Sequence, residues 1–265
     1  MHLKQSIVIP AYNERRRIGA TLESIASYLS DAGNRNSDFE VIVVCDGCYD
    51  GTEQAAKAFA QRLPLRVISY VCNRGKGYAV RRGVAASSGR LVTFMDADGA
   101  TPIRELDRLM QPILGNQAEI VIGSRHARES VLGVAQPLTR RLLGRAFAWH
   151  TQAVLGLRMR DTQCGFKVFD GDIARVLFKR LSCDGFAFDL ELLAEAREYG
   201  LRVLERGVEW HDVAGSTVHP LRDGARMLRA AWKIRRRLHS ERRARAREAV
   251  FGIARPTNLY SGNPT

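Results

Sequence analysis

Over residues 6–123, short β-rich runs alternate with helical patterns, and few folds accommodate that alternation. Ser6–Pro10, Val41–Cys45, Leu65–Cys72, Arg90–Met95 and Glu119–Gly123 read as strands. Val41–Cys45 is apolar throughout, as expected of a strand buried on both faces. Between the strands, Ile18–Leu29 places apolar residues at 18, 22, 25, 26 and 29, a helical period. Gly51–Leu63, Ala79–Ser87 and Ile103–Leu114 follow the same rule, the last opening behind Thr101-Pro102. Strand–helix alternation on this scale predicts an α/β fold, a Rossmann-like, mostly parallel sheet with helices on both faces. The second half is less regular. Helices are expected over Leu138–Leu155, Phe188–Tyr199 and Arg226–Leu238, and strands over Gly165–Phe169 and Arg202–Trp210. The chain is expected to divide into a globular domain over 1–220, a basic amphipathic helical tail over 221–255 and a flexible end over 256–265.

Composition narrows the function classes. A chain of 265 residues with 45% hydrophobic and 26% charged residues can bury a core without disulfides. The five cysteines are odd in number and irregularly spaced, which fits a reducing compartment. Cys45 and Cys48 form a C-x-x-C pair, but no second pair or nearby histidine completes a zinc set. No apolar run approaches the ~20 residues of a membrane span, and the start has no leader-peptide layout, so a cytoplasmic protein is expected. The net charge is +13, unevenly placed: between Arg222 and Arg255 twelve basic side chains face three acidic ones, so nine of those charges sit in the tail. Such an appendage seeks phosphate-rich surfaces. The near-neutral body and the absence of a stacking pattern argue against nucleic acid; peripheral association with an anionic membrane surface is expected, the plain alternative being a solvated helix with a chance charge bias.

Ligands of parallel α/β sheets bind beyond the carboxyl ends of the strands. Three strand ends here are polar or acidic: Pro10–Glu14, Asp46–Thr52 and Asp96–Gly99. Asp96 and Asp98 are the sharpest signal. In an extended segment, residues i and i+2 point to one side, so two carboxylates converge. Their repulsion is relieved by a cation, and hard oxygen ligands with room for substrate suit Mg²⁺ or Mn²⁺ bridging a diphosphate. The plain alternative is a polar strand exit. Lys76, within Asn73–Gly77 ahead of a helix, and Arg125, after the strand ending at Gly123, add cations at the same edge. Asp161–Lys167 gathers an acid, an amide and a lysine, and Asp189 and Glu191 open a helix, where stabilising the helix N-terminus is the simpler role.

These motifs, in this order, resemble inverting family 2 glycosyltransferases, and within them the polyprenyl/dolichyl-phosphate sugar transferase branch. The segments "DADGAT" and "DTQCGFK" are similar to those of dolichyl-phosphate β-glucosyltransferases. The resemblance covers residues 5 to about 220 and implies a GT-A fold that binds a nucleotide sugar. It implies that Pro10, Ala11, Tyr12, Glu14 and Asp46 hold the base and ribose. Asp96 and Asp98, with Ala97 between them and Lys76 beside them, would hold the metal and diphosphate. Arg125 would face a phosphate. The implied catalytic set is Asp98, Arg125, Asp161 and Asp189. The pattern is broken at Cys45, where many members have aspartate, at Cys48, where serine is usual, and at Thr217, where a lysine is expected. Ala100 stands where the mannosyl branch has glutamine. UDP-glucose is the favoured donor, with GDP-mannose possible, and a polyprenyl phosphate is the expected acceptor. Arg140 or Arg141 would join Arg125 in holding two anions together. The alternative is a soluble family member using a hydroxyl acceptor, which needs a carboxylate base, with Asp161, Asp189 or Glu191 as candidates.

Overall fold

The computed structural model describes residues 4–31, 38–127, 130–132, 150–213 and 220–251. Strands β1 (Gln5–Ala11), β2 (Phe39–Asp46), β3 (Leu65–Tyr70) and β4 (Leu91–Met95) alternate with helices α1 (Ile18–Asp31), α2 (Thr52–Lys57) and α3 (Lys76–Ala86). Helix α4 (Glu105–Leu114), strands β5 (Ile120–Ser124) and β6 (Val131–Leu132), a helical stretch over 150–155, and β7 (Phe166–Asp170) follow. Then come α5 (Gly171–Arg180), α6 (Phe188–Glu198), β8 (Val203–Gly207), β9 (Glu209–Trp210) and α7 (Pro220–Phe251).

Seven strands form one sheet in the order β3-β2-β1-β4-β7-β5-β8, and β6 pairs with β9 in a second. All neighbours in the large sheet are parallel except β7, which runs antiparallel to both β4 and β5. Alternation of side chains along each strand feeds core clusters on both faces of the sheet. Ile7, Ile9, Val41, Val43 and Met95 pack with α1 and α4 on one face. Val8, Val92, Phe94 and Phe169 pack with α3, α5, α6 and α7 on the other. The expected α/β layering is therefore present.

The antiparallel β7 matters most for function. Pairing of Met95 with Phe166 and of Phe94 with Lys167 brings the start of β7 to the carboxyl end of β4. Residues 161–167 thus arrive at the edge that carries Asp96.

Several boundaries differ from the sequence reading. The expected Gly51–Leu63 helix stops at Lys57, and 58–63 winds on in tight turns with bonds such as Phe59 N to Ala56 O. The expected Arg202–Trp210 strand splits at buried Val208, β8 joining β5 and β9 joining β6. Helix α5 was not expected, although Asp170 caps it by accepting from the Asp172 and Ile173 amides. Most of the expected Leu138–Leu155 helix, with Arg140 and Arg141, lies outside the described residues, as do Thr217 and the 256–265 end.

The basic tail is helical over Pro220–Phe251. Its apolar face is not free for a membrane, which corrects the expectation that the amphipathic tail meets one with that face. Ala231, Ile234 and Leu238 are buried in the domain core, whereas Trp232 is 47% exposed. No described helix is long and apolar enough to cross a membrane.

Candidate donor-binding site

The carboxyl end of β4 is held from three sides. The Asp96 amide donates to the Gly165 carbonyl (2.9 Å). The Ala97 carbonyl accepts from the buried Thr21 hydroxyl of α1 (2.7 Å). Asp98 accepts from the Ala100 amide (3.0 Å), and Gly99 turns the chain with φ +65°. Between these anchors the Asp96 carboxylate pairs with the Lys76 ammonium (2.7 Å). Burial opposes the charge on Lys76, but the fields of Asp96, Asp189 and Asp98 win and hold its pKa above the ordinary lysine value. Asp98 is pushed the other way: burial and the neighbouring Asp96 raise its pKa, which Arg17 and Lys76 only partly offset. Glu14 is raised as well, first by burial, with Asp96 and Asp98 adding repulsion against its bidentate partner Arg17 (2.6 Å to each oxygen).

Asp98, raised by burial and by Asp96, is the group here that a bound cation would relieve. A divalent ion between the two carboxylates would offset the repulsion that raises Asp98. Among the described residues no three His, Cys, Asp or Glu side chains are grouped to hold a metal alone. Two carboxylates fit an Mg²⁺ or Mn²⁺ ion whose other ligands are phosphate oxygens and water.

The strand-end loops of β1 and β2 lie side by side. Tyr12 and Tyr49 meet edge to face at 6.3 Å between ring centroids, and both are exposed. The Glu14 amide donates to Thr52 (2.7 Å), and the Cys48 thiol donates to the Ala11 carbonyl (3.2 Å). Pro10 and Ala11 are buried strand residues of β1. Asp46 is nearly buried, its two oxygens accepting from the Arg74 (2.7 Å) and Gly75 (2.8 Å) amides. Its carboxylate therefore shapes the loop ahead of α3, and only what remains of its lone pairs is left for a ligand.

The other candidate acids are tied to cations. Asp161 accepts two bonds from the Arg125 guanidinium (2.7 and 2.9 Å) and one from the Arg125 amide (2.9 Å). Burial would raise its pKa, but Arg125 overrides that and holds it at about 2. The Arg125 guanidinium lies 5.7 Å from the Trp210 ring. Asp189 pairs with Lys167 (2.6 Å), an ion pair with essentially no exposure. Burial raises the Asp189 pKa against the pull of Lys167 and Lys76. Glu191 is fully buried and accepts from Ser182, Cys183 and Arg237.

The structure thus gathers Lys76, Asp96, Asp98 and Glu14 into one field, which Asp189, ion-paired to Lys167, also joins, while Arg125 is paired to Asp161. Sequence reasoning missed Gly165, Thr21 and His211, whose amide donates to the Ala100 carbonyl (2.8 Å). Gly165 stood inside a flagged motif; Thr21 and His211 carried no local signal.

Residues 6–180 match the model of the family described as glycosyl transferase family 2. A dolichyl-phosphate beta-glucosyltransferase of Dictyostelium discoideum is 33% identical over 239 residues, covering 87% of this chain and 73% of its own. Its namesake from Drosophila melanogaster is 36% identical over 242 residues, covering 88% and 74%. Among solved structures, glucosyl-3-phosphoglycerate synthase from Mycobacterium tuberculosis, in complex with Mn²⁺, UDP-glucose and phosphoglyceric acid, superposes with a TM-score of 0.63 at 26% identity, covering 88% of this chain and 79% of that one. Mannosyl-3-phosphoglycerate synthase from Rubrobacter xylanophilus, at 22% identity and a TM-score of 0.63, shares the fold.

Proposed function

The chain belongs to glycosyl transferase family 2, with a GT-A fold, and from that premise we propose that it transfers glucose from UDP-glucose to dolichyl phosphate or a related polyprenyl phosphate, with inversion. The observation that carries this reading is that Asp161, Asp189 and Glu191, the carboxylates the sequence offers as candidate general bases, are each engaged by a cation. A hydroxyl acceptor needs such a base. A phosphate monoester does not, because its second pKa of ~6 leaves it mostly dianionic near neutrality.

In the proposed reaction an acceptor phosphate oxygen attacks C1 of the sugar. The new C1–O bond forms as the C1–O bond to the diphosphate breaks, and UDP leaves with the electron pair. Lys76 neutralises the departing diphosphate, and Asp96 aims it there through their ion pair. A divalent ion held by Asp96 and Asp98 would add charge neutralisation at the leaving group. Arg125, pre-aligned by Asp161, faces the acceptor phosphate. Tyr12, with Pro10, Ala11, Glu14 and Asp46, lines the nucleoside end. The glucose and dolichyl assignments rest on the names of the relatives, and UDP-glucose and the metal gain support from the bound state of the mycobacterial neighbour.

The enzyme works, in this reading, on the cytoplasmic surface of an anionic membrane. The apolar stripe of α7 is committed to the core, so the attraction is electrostatic, through exposed Arg229, Lys233, Arg236 and Arg243 around Trp232. Each such cation contributes ~1 kcal/mol near an anionic leaflet. Reversing Arg229, Lys233 and Arg236 to Glu leaves the packed face intact and should release the chain from phosphatidylserine vesicles in flotation; equal flotation would remove the membrane role.

The activity itself is tested with the full chain, a panel of UDP-glucose and GDP-mannose donors, and phytanyl phosphate or 3-phosphoglycerate as acceptor. Glucosyl phytanyl phosphate is the expected product. Turnover confined to the 3-phosphoglycerate hydroxyl would replace the lipid-phosphate reading with the hydroxyl one.

A further inference from the structure

The first turn of α3, which carries Lys76, is seated from outside itself. Gly75 and Gly77 lie so close to the Asp184 and Cys183 carbonyls that a side chain at either position would clash with them. The Tyr78 amide donates to the Asp184 carbonyl (3.2 Å). One turn on, Arg81 donates to the Cys183 carbonyl (3.3 Å) and pairs with the Asp184 carboxylate. Segment 182–187 is therefore the surface on which the lysine-bearing helix end rests, yet it has no helix or strand bonding of its own.

One buried carboxylate anchors the start of this segment. Glu191 of α6, with 0% exposure, accepts from the Ser182 amide (3.0 Å), the Ser182 hydroxyl (2.7 Å) and the Cys183 amide (2.7 Å). A buried carboxylate needs a cation as well. Arg237 of α7 supplies it at 2.9 Å and also grips Glu195 at 2.6 Å. An unbroken run of short contacts thus leads from α7 through Glu191 and the 182–187 segment to Lys76 and Asp96.

We infer that Glu191 is a positioning residue for glycosyl transfer, setting the placement of the Lys76 ammonium through segment 182–187, with Arg237 making the C-terminal helix part of the same device. The inference rests on the proposed role of Lys76 at the donor diphosphate. Its physical basis is that charge placement governs transition-state stabilisation, so a shift of about 1 Å in a catalytic group can cost about a hundredfold in rate. Glutamine at 191 keeps the size of the side chain but has only one acceptor oxygen, and it loses the charge that Arg237 answers.

The test is a double-mutant cycle in the full chain, read as kcat and as acceptor KM, with the thermal midpoint followed in each variant. Lys76→Met alone should lower kcat strongly. Glu191→Gln alone should lower kcat about tenfold with acceptor KM unchanged, and should add less than about twofold in the Lys76→Met background. An equal fold-loss in both backgrounds, or no loss in the parent, would overturn the inference. If Lys76→Met leaves turnover intact, the donor-site role of Lys76 itself fails and the inference falls with it, an outcome distinct from additivity. Should Glu191→Gln not fold, Ser182→Ala removes one bond and leaves the Glu191–Arg237 pair. It should cost about threefold in the parent and nothing in Lys76→Met, and the same loss in both would overturn the inference equally.

Discussion

Gly165 lies against the Asp96 carboxylate so closely that a β-carbon at 165 would overlap both carboxylate oxygens. The same pair shares a backbone bond, Asp96 N to Gly165 O at 2.9 Å. Two motifs 69 positions apart in the sequence are thereby one structural unit, and the glycine is required by proximity rather than by its backbone angles.

Gly165→Ala should therefore act as a displacement of Asp96. Turnover should fall about a hundredfold, comparable with losing one pre-aligned charged group, while overpacking costs about 1–3 kcal/mol of stability. Steady-state kinetics beside urea unfolding separates the two effects. Parent-like turnover would mean that Asp96 need not stand where it does.

The Arg125–Asp161 pair makes an acid-stability prediction. With its folded pKa held at about 2 against an ordinary ~3.9, Asp161 stabilises the fold fully above the ordinary value. That contribution, about 2 kcal/mol, drains away as the pH falls from about 4 towards 2. Asp98 and Asp189, whose pKa values are raised, pull in the opposite sense at higher pH. Urea midpoints of the parent should drop across this acid window, and Asp161→Asn should flatten the drop while lowering stability near neutrality. A parallel slope in the variant would contradict the assignment.

Cys48 should be the reactive thiol of the C-x-x-C pair. A hydrogen bond from Cys45, aided by the Asn13 amide and Thr52, lowers it to about 7 despite partial burial, whereas Cys45 is buried and raised. Iodoacetamide labelling at position 48, followed by peptide mass spectrometry, should rise with a midpoint near 7, and Cys45→Ala should move that midpoint upward. Labelling of Cys45 ahead of Cys48 would refute the arrangement.

Much of the fold was legible because the buried strands advertise themselves: Val41–Cys45 is apolar without interruption, and it is the heart of β2. The position of Asp96 and Asp98 at the end of β4 was legible for the same reason, since they close an apolar run. Other features depend on long-range pairing that no local pattern encodes. The reversed direction of β7 is set by what it lies between. The commitment of Ile234 and Leu238 to the core, rather than to a membrane, reflects docking of α7 onto α6. Helix α5 was readable from Asp170 and the spacing of Ala174, Leu177 and Phe178, and was missed because it begins the residue after a strand.

In the proposed reaction Asp96 and Asp98 hold a divalent ion against a nucleotide diphosphate beside Lys76. Calorimetric titration of UDP into the full chain, with Mn²⁺ or with EDTA, tests it without relying on turnover. Binding should be strong with Mn²⁺, about tenfold or more weaker in EDTA, and insensitive to Mn²⁺ in Asp98→Asn. Equal affinity in Mn²⁺ and EDTA, or an Asp98→Asn variant that still responds to the ion as the parent does, would contradict the account.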